Sequence, residues 1–128
     1  MKKLFKIFTL VLLLSFTLIL VGCKQKSDVQ GEVTIVVVDG DKKELFNEKV
    51  SFKEGDTYVT LLEANEKIKM KGSTSEYGYF IENLCGIASS NDNKTFWAIY
   101  VNNESSMVGI SQIPLKDKDI IKFALETW

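Results

Sequence analysis

The chain has 128 residues, with 16 lysines, 17 acidic residues and neither histidine nor arginine. The missing histidine removes the usual general base, the usual zinc ligand and any imidazole ligand to haem or cobalt, so that metal chemistry would depend on carboxylates. A mildly acidic surface without arginine would repel phosphates, and we therefore expect no nucleic-acid partner.

The amino-terminal segment has the pattern of a bacterial lipoprotein signal. Three lysines, Lys2, Lys3 and Lys6, precede an apolar run over residues 7–21, whose length fits a secretory signal better than a membrane span. The run ends at Leu20-Val21-Gly22-Cys23, which resembles a lipobox. We therefore expect lipidation of Cys23; the alternative is an ordinary secreted protein with a chance cysteine.

This signal divides the chain into a signal peptide over residues 1–22, a lipidated cysteine and polar tether over residues 23–31, and one domain over residues 32–128. Removing the signal leaves 128 − 22 = 106 residues, enough for one domain, with a side-chain charge of 13 − 17 = −4. The predicted location is the cell membrane, lipid-anchored and facing the extracellular side. Cys85 is then the remaining cysteine, and its apolar neighbours predict a buried, inert thiol.

The first half of the domain predicts a hairpin followed by a helix. Residues 33–38 are rich in β-branched side chains, Asp39-Gly40-Asp41 is a turn signal, and the chain returns over residues 45–52. A helix is expected from about residue 57 to residue 69, capped by Asp56 or Thr57, because apolar residues recur there at helical spacing.

Three further strands are expected over residues 77–84, 96–102 and 120–128; the second of them carries apolar residues on both faces, and the third is largely apolar. This order predicts an α+β fold, a β-grasp-like mixed sheet of about five strands packed on one helix. Because one helix cannot cover both faces of such a sheet, one face should be left partly open.

The last third resembles the C-terminal β-domain of the transcobalamin and intrinsic-factor family and its small bacterial secreted relatives. The matching pieces are Phe96-Trp97, Tyr100-Val101-Asn102-Asn103, Val108-Gly109 and Leu115-Lys116-Asp117-Lys118-Asp119-Ile120-Ile121. Asn103 and Lys118 stand where the family has glycine, and lysine adopts a positive φ only at a cost, so the second turn could differ in shape. The resemblance implies the same β-grasp order for residues 32–128.

The resemblance also implies a ligand site, because loops of this domain close over the corrin ring in that family. By position, the segment near the ligand is Val108, Gly109, Ile110, Ser111 and Gln112. The exposed aromatic residues of an open sheet would suit a large planar ligand or a protein partner, and Tyr79, Trp97 and Tyr100 are the candidates. Since Trp97 and Tyr100 lie on opposite faces of one strand, they cannot both point inward.

Other acidic, asparagine-rich and serine-containing segments are better explained as turns than as metal-binding or catalytic sites. Asp39-Gly40-Asp41 with Glu44 has oxygen ligands at calcium-like spacing but lacks the later ligands of an EF-hand, and a hairpin turn is favoured. Asn91-Asp92-Asn93 and the pair Asp117 and Asp119 are interpreted as turn formers. The serine pairs at residues 89–90 and 105–106 have no histidine to activate them, so an enzyme is not expected.

The sequence thus predicts a membrane-anchored extracellular binding lipoprotein that captures cobalamin or a related corrinoid for uptake, with no required cofactor. The expected partners are a corrinoid or other sizeable planar ligand, the membrane through the lipid anchor, and a membrane transporter or second binding protein. The full family binders hold the corrin against a large helical domain, which is absent from this sequence. The chief alternative is a surface adhesion module that binds protein, and carboxylate-based metal binding ranks behind it.

Overall fold

The computed structural model describes residues 29–128, and the signal peptide, Cys23 and most of the tether lie outside them. The described chain forms two sheets, one α-helix and one short 3₁₀ helix. In chain order the elements are β1 (Val29–Val38), β2 (Glu44–Lys53), α1 (Tyr58–Ala64), β3 (Lys71–Ser75), β4 (Gly78–Leu84), β5 (Ile87–Ala88), β6 (Thr95–Val101), β7 (Glu104–Ser105), the 3₁₀ helix (Ile110–Gln112) and β8 (Ile120–Thr127). Strand β1 thus begins within the predicted tether.

The larger sheet has the order β2-β1-β8-β6-β7, and it is mixed because β1 and β8 run parallel while the other pairs are antiparallel. This five-stranded mixed sheet with one helix confirms the predicted fold class. The opening hairpin is also present, and its turn is held by Asp39, whose Oδ1 accepts hydrogen bonds from the N–H groups of Asp41 and Lys43 at 2.9 Å. The turn interpretation of this acidic segment is therefore confirmed.

The helix begins as predicted but ends five residues early, at Ala64 rather than at residue 69. Thr57 is the N-cap, and it exchanges side-chain and backbone hydrogen bonds with Thr60 in a capping box. At the other end, Oδ1 of Asn65 accepts hydrogen bonds from the N–H groups of Lys67 and Ile68. This local turn competes with helix continuation, so the amide of Asn65 ends α1.

A second, three-stranded sheet of order β3-β4-β5 is the main departure from the sequence prediction. The strand expected over residues 77–84 forms as β4, but it pairs with β3 and β5 instead of joining the larger sheet. Strand β3 lies between the predicted helix and the strand expected over residues 77–84, where the sequence analysis placed no strand. The fifth strand of the larger sheet is instead the two-residue β7, which pairs with the end of β6.

The hydrophobic core joins one face of the larger sheet to α1 and the second sheet. Alternate residues of β1, namely Val33, Ile35 and Val37, are fully buried, and they pack in one cluster with residues of β8, α1 and β4. The opposite face of the larger sheet is half-buried and is not covered by any described element. Within residues 29–128, no helix has the length and apolarity needed to cross a bilayer.

Two turns in which this chain has Asn103 and Lys118 in place of the glycine of the resembled family still adopt a left-handed backbone. Asn102 and Asn103 have φ values of 50° and 69°, and Lys118 has a φ of 72°. The N–H of Lys118 donates to the carbonyl of Glu32 at 2.7 Å, and Asp117 accepts from the N–H of Glu32 at 2.9 Å. These bonds to the start of β1 hold the lysine in a conformation that it would otherwise avoid.

Candidate ligand-binding rim

The tip of the β3–β4 hairpin is joined to the segment around the 3₁₀ helix. The backbone N–H of Tyr79 donates to Oγ of Ser111 at 3.1 Å. A side chain at Gly78, where φ is +109°, would come within 2.9 Å of the same oxygen. The two segments therefore touch, although more than thirty residues separate them in sequence.

The two segments that meet here expose three large apolar side chains. Met107 is 95% exposed, Tyr77 is 84% exposed and Val108 is 45% exposed. We call the surface made by Tyr77, Tyr79, Met107, Val108, Ser111 and Gln112 the rim. Apolar side chains presented together at a loop edge are typical of a binding surface, because a monomer gains nothing from leaving them in water.

Local hydrogen bonds fix the loop that carries Met107 and Val108. The hydroxyl of Ser106 accepts from the N–H of Val108 at 3.2 Å and donates to its carbonyl at 2.8 Å. Two residues further on, Ile110 is buried in the core and anchors the 3₁₀ helix. The loop is therefore held in place before any ligand arrives, which lowers the entropy cost of binding.

Tyr79 connects the rim to the helix α1. Its hydroxyl donates to Oε1 of Glu63 on α1 at 3.0 Å. Partial burial, followed by this hydrogen bond and the nearby carboxylates, raises the pKa of Tyr79 to about 12. The ring crosses β3 at Gly72, where a Cβ atom would lie 2.5 Å from the ring and would clash with the carbonyl oxygen of Phe80. Glycine at this position thus makes room for Tyr79.

A groove of about 460 Å³ lies beside the rim. Its walls are the start of β1 at Gln30, the turn between β2 and α1, and the segment from Ser111 to Leu115. The groove therefore shares Ser111 and Gln112 with the rim. Because Gln30 lines the groove, the amino-terminal end of the described domain also lies next to the rim.

The structure separates the residues that the sequence analysis grouped into one site. Tyr79, Val108, Gly109, Ser111 and Gln112 lie together at the rim, and Ile110 anchors them from the core. Their role in ligand binding stays a prediction.

Trp97 and Tyr100 lie elsewhere. Trp97 points into the core and is only 6% exposed, because it occupies the inward face of β6. The alternation had left open which of the two residues points inward, and this burial argues against Trp97 as a ligand contact. Its indole N–H has no hydrogen-bond partner among the described residues. Tyr100 is on the open face, where its hydroxyl donates to Glu126 at 2.7 Å and Lys122 lies 4.8 Å from its ring centre. The bond to Glu126 and partial desolvation raise the pKa of Tyr100.

The sequence analysis did not assign Tyr77 and Met107 to the site. The sequence did contain a pattern that could have identified them, because each is a large apolar residue within a polar turn. Tyr77 follows Glu76, and Met107 follows two serines. Such residues cannot reach a core from a tight turn, and they are exposed unless something binds them.

Metal ligands are sparse in the part of the chain that the structure describes. Over residues 29–128 there is no group of three or more His, Cys, Asp or Glu side chains that could hold a metal ion. Cys85 is a free thiol of intermediate exposure, and burial raises its pKa.

The family model described as Domain of unknown function (DUF4430) matches residues 55–127, more than half of the chain, and the protein belongs to this family. A comparison with curated proteins gave no match.

Two solved structures share the fold. One is a protein of Ruminococcus gnavus ATCC 29149 to which metal binding is ascribed, with 22% sequence identity and a TM-score of 0.64, over 77% of this chain and 99% of that one. The other is haptocorrin in complex with Cbi, with 13% identity and a TM-score of 0.62, over 82% of this chain and 27% of that one. The resemblance to a transcobalamin C-terminal-like domain is therefore confirmed for the fold.

Proposed function

We propose that this protein is a membrane-anchored extracellular lipoprotein that captures cobalamin or a related corrinoid at the rim. The observation that carries the proposal is the exposure of Tyr77, Met107 and Val108 on a pre-organised edge. A corrin ring is large and flat and carries methyl groups as well as polar amide side chains, so its apolar parts would bury these side chains. The likeness to haptocorrin in complex with Cbi supports the same ligand class.

The ligand would be held by the edge of its ring rather than by its metal. No histidine exists in the sequence to coordinate cobalt. Ser111 and Gln112, at the border of the rim and its groove, offer hydroxyl and amide groups for the polar side chains of a corrinoid. The proposal therefore requires neither a catalytic group nor a resident cofactor.

This domain supplies one wall of a binding site. The chain spans 27% of the length of haptocorrin, and the described residues provide no second wall over the rim. A membrane transporter or a second binding protein would cover the other side of the ligand. In the absence of such a partner we expect affinity in the micromolar range.

Lipidation of Cys23 would orient the rim toward the membrane. Six peptide steps separate Cys23 from Val29, the first residue of β1, and they span at most about 20 Å when extended. Gln30 lines the groove beside the rim, so this end of the domain would stay near the bilayer surface. Such an orientation suits transfer of ligand to a membrane transporter. Replacing Cys23 by serine should release the protein from the membrane fraction, whereas unchanged membrane association would contradict lipid anchoring at this residue.

The test of ligand capture is equilibrium dialysis of the full chain in detergent against cobalamin and cobinamide. We expect saturable binding with a Kd of about 10 µM or lower, and at least roughly tenfold weaker binding for Tyr77→Ala and for Met107→Ala. Phe80→Ala is the matched control, because Phe80 is an exposed aromatic residue of the same hairpin that faces away from the rim. Absence of saturation up to about 1 mM, or equal weakening by all three variants, would contradict the proposal.

A second candidate function is adhesion through the open face of the larger sheet. A groove of about 700 Å³ lies there, between the turn after β1 and the residues Tyr100, Lys122 and Glu126. A protein partner could cover this face without touching the rim. Capture that depends on Tyr100 and Lys122, and is unaffected by Tyr77→Ala, would favour this alternative.

A further inference from the structure

Three aromatic side chains line a second groove, on the part of the surface away from the rim. Phe80 of β4, Phe96 of β6 and Trp128 surround a space of about 660 Å³ between the two sheets. Phe80 is 57% exposed and Trp128 is 62% exposed. We propose that this aromatic groove binds a neutral glycan chain.

The rings are held in place by the fold. Phe80 points outward because its neighbour Ile81 is buried on the inner face of β4. The rings of Phe96 and Trp128 are 6.1 Å apart and tilted by 53°. The N–H of Trp128 donates to the carbonyl of Lys94 at 3.1 Å, which fixes the backbone next to the indole. The groove therefore presents a preformed aromatic surface.

Unused polar groups border the rings. The side-chain amides of Asn83 and Asn91 and the ammonium group of Lys71 line the groove, and among the described residues none of them has a hydrogen-bond or ion-pair partner. Glu82 lies on the same wall and accepts a hydrogen bond from Ser73 at 3.1 Å. The walls thus combine apolar faces with free donors and acceptors, and the charges of Lys71 and Glu82 balance.

This combination matches the chemistry of a sugar ring. A pyranose has C–H faces that stack on aromatic rings, and its equatorial hydroxyl groups need amide or charged partners at the edge. A purely apolar ligand would leave the amides of Asn83 and Asn91 without partners, which costs free energy. A phosphate-rich ligand would need an excess of positive charge, which the pair of Lys71 and Glu82 does not supply.

The open shape of the groove favours a chain over a single sugar. Enclosed pockets bury most of a small ligand, whereas here two of the three rings are more than half exposed. A glycan chain could lie across the groove and contact each ring with a different sugar unit. The expected ligand is therefore an uncharged oligosaccharide or polysaccharide.

The probes are the hexamers of N-acetylglucosamine and of glucose, titrated into the full chain while tryptophan fluorescence is followed. Trp128 is exposed and Trp97 is buried, so stacking of a sugar on Trp128 should shift the emission to shorter wavelength. We expect saturation by at least one hexamer below about 10 mM, and at least roughly tenfold weaker binding for Phe80→Ala, followed by the same fluorescence signal. Trp128→Ala should remove the wavelength shift, and calorimetry should show its weaker binding.

Tyr77→Ala is the control, because Tyr77 is an exposed aromatic residue outside this groove. It should leave hexamer affinity within about twofold, while it weakens corrinoid binding at the rim. The inference would be overturned by no saturation with either hexamer, by unchanged affinity in both groove variants, or by binding of an apolar peptide with neither hexamer able to displace it. Each of these results leaves the corrinoid proposal standing, since that proposal depends on other residues.

Discussion

The hydroxyl oxygen of Ser111 lies 3.1 Å from the backbone nitrogen of Tyr79 and links the 3₁₀ helix to the tip of the β3–β4 hairpin. This bond joins two segments that carry the exposed apolar side chains of the rim. The relative position of Tyr77 and Val108 therefore depends on a contact between a side chain and the backbone, and not on strand pairing.

Ser111→Ala removes this link. We expect the free energy of unfolding to fall by about 1 kcal/mol, the usual net value of one hydrogen bond, in a urea titration followed by circular dichroism. Ser105→Ala is the matched control, because the hydroxyl of Ser105 has no partner among the described residues, and it should change stability by less than about 0.5 kcal/mol. Equal unfolding midpoints for the two variants would show that the link contributes nothing.

Gly72→Ala tests the space reserved for Tyr79. The new methyl group would meet the Tyr79 ring and the carbonyl of Phe80, so stability should fall by roughly 1–3 kcal/mol or more. Gly40→Ala introduces the same group where the nearest heavy atom, in Leu125, is 4.0 Å away, and it should be nearly neutral. Thermal unfolding of the two variants makes the comparison. A Gly72 variant as stable as the Gly40 variant would mean that β3 and Tyr79 are not packed as described.

The two tryptophans should differ sharply in their effect on stability. Trp97→Ala empties part of the core and should cost about 3–5 kcal/mol, while Trp128→Ala removes a mostly exposed ring and should cost less than about 1 kcal/mol. Urea unfolding of both proteins gives the measurement. A Trp97 variant that unfolds at the same urea concentration as the Trp128 variant would place Trp97 at the surface.

Tyr58 should make stability depend on pH above 10. Burial, and secondarily the charge of Asp119, raises the pKa of Tyr58 from 10.0 to about 12, so the unfolded chain loses this proton first. The contribution of protonated Tyr58 to the free energy of unfolding is complete below pH 10, and it falls by up to about 2–3 kcal/mol as the pH approaches 12.

Tyr58→Phe isolates this effect from lysine titration in the same range. Since the buried hydroxyl has no partner among the described residues, the variant should be at least as stable as the parent at pH 8. It should also lose less stability between pH 8 and pH 11.5 in urea titrations. Parallel pH profiles for the two proteins would count against a raised pKa at Tyr58.

Local signals in the sequence predicted much of the fold. The β-branched run of β1, the apolar run of β8, the turn at Asp39 and the cap at Thr57 are set by neighbouring residues, and each is confirmed. The end of the helix depended on whether the Asn65 amide or the next helical turn would satisfy the backbone. Either outcome is compatible with the sequence. In the structure, the side-chain amide of Asn65 accepts the hydrogen bonds and the helix ends.

The second sheet and the rim required information that a single sequence does not contain. Strand β3 has the sequence Lys-Gly-Ser-Thr-Ser and little intrinsic strand preference; it forms because β4 provides a pairing partner. The alternation of β6 showed that Trp97 and Tyr100 face opposite ways, but not which of them points inward. The contact of Ser111 with Tyr79 joins residues 32 positions apart and leaves no local pattern.

The central claim is that ligand binds at the rim, and methionine methyl NMR tests it most directly. The three methionines of the full chain are Met1, Met70 and Met107, of which Met107 is 95% exposed at the rim and Met70 is buried in the core. Addition of cobinamide should shift the Met107 methyl resonance in a saturable manner and leave that of Met70 in place. A Met107 resonance that stays unchanged while cobinamide saturates the protein would contradict binding at the rim.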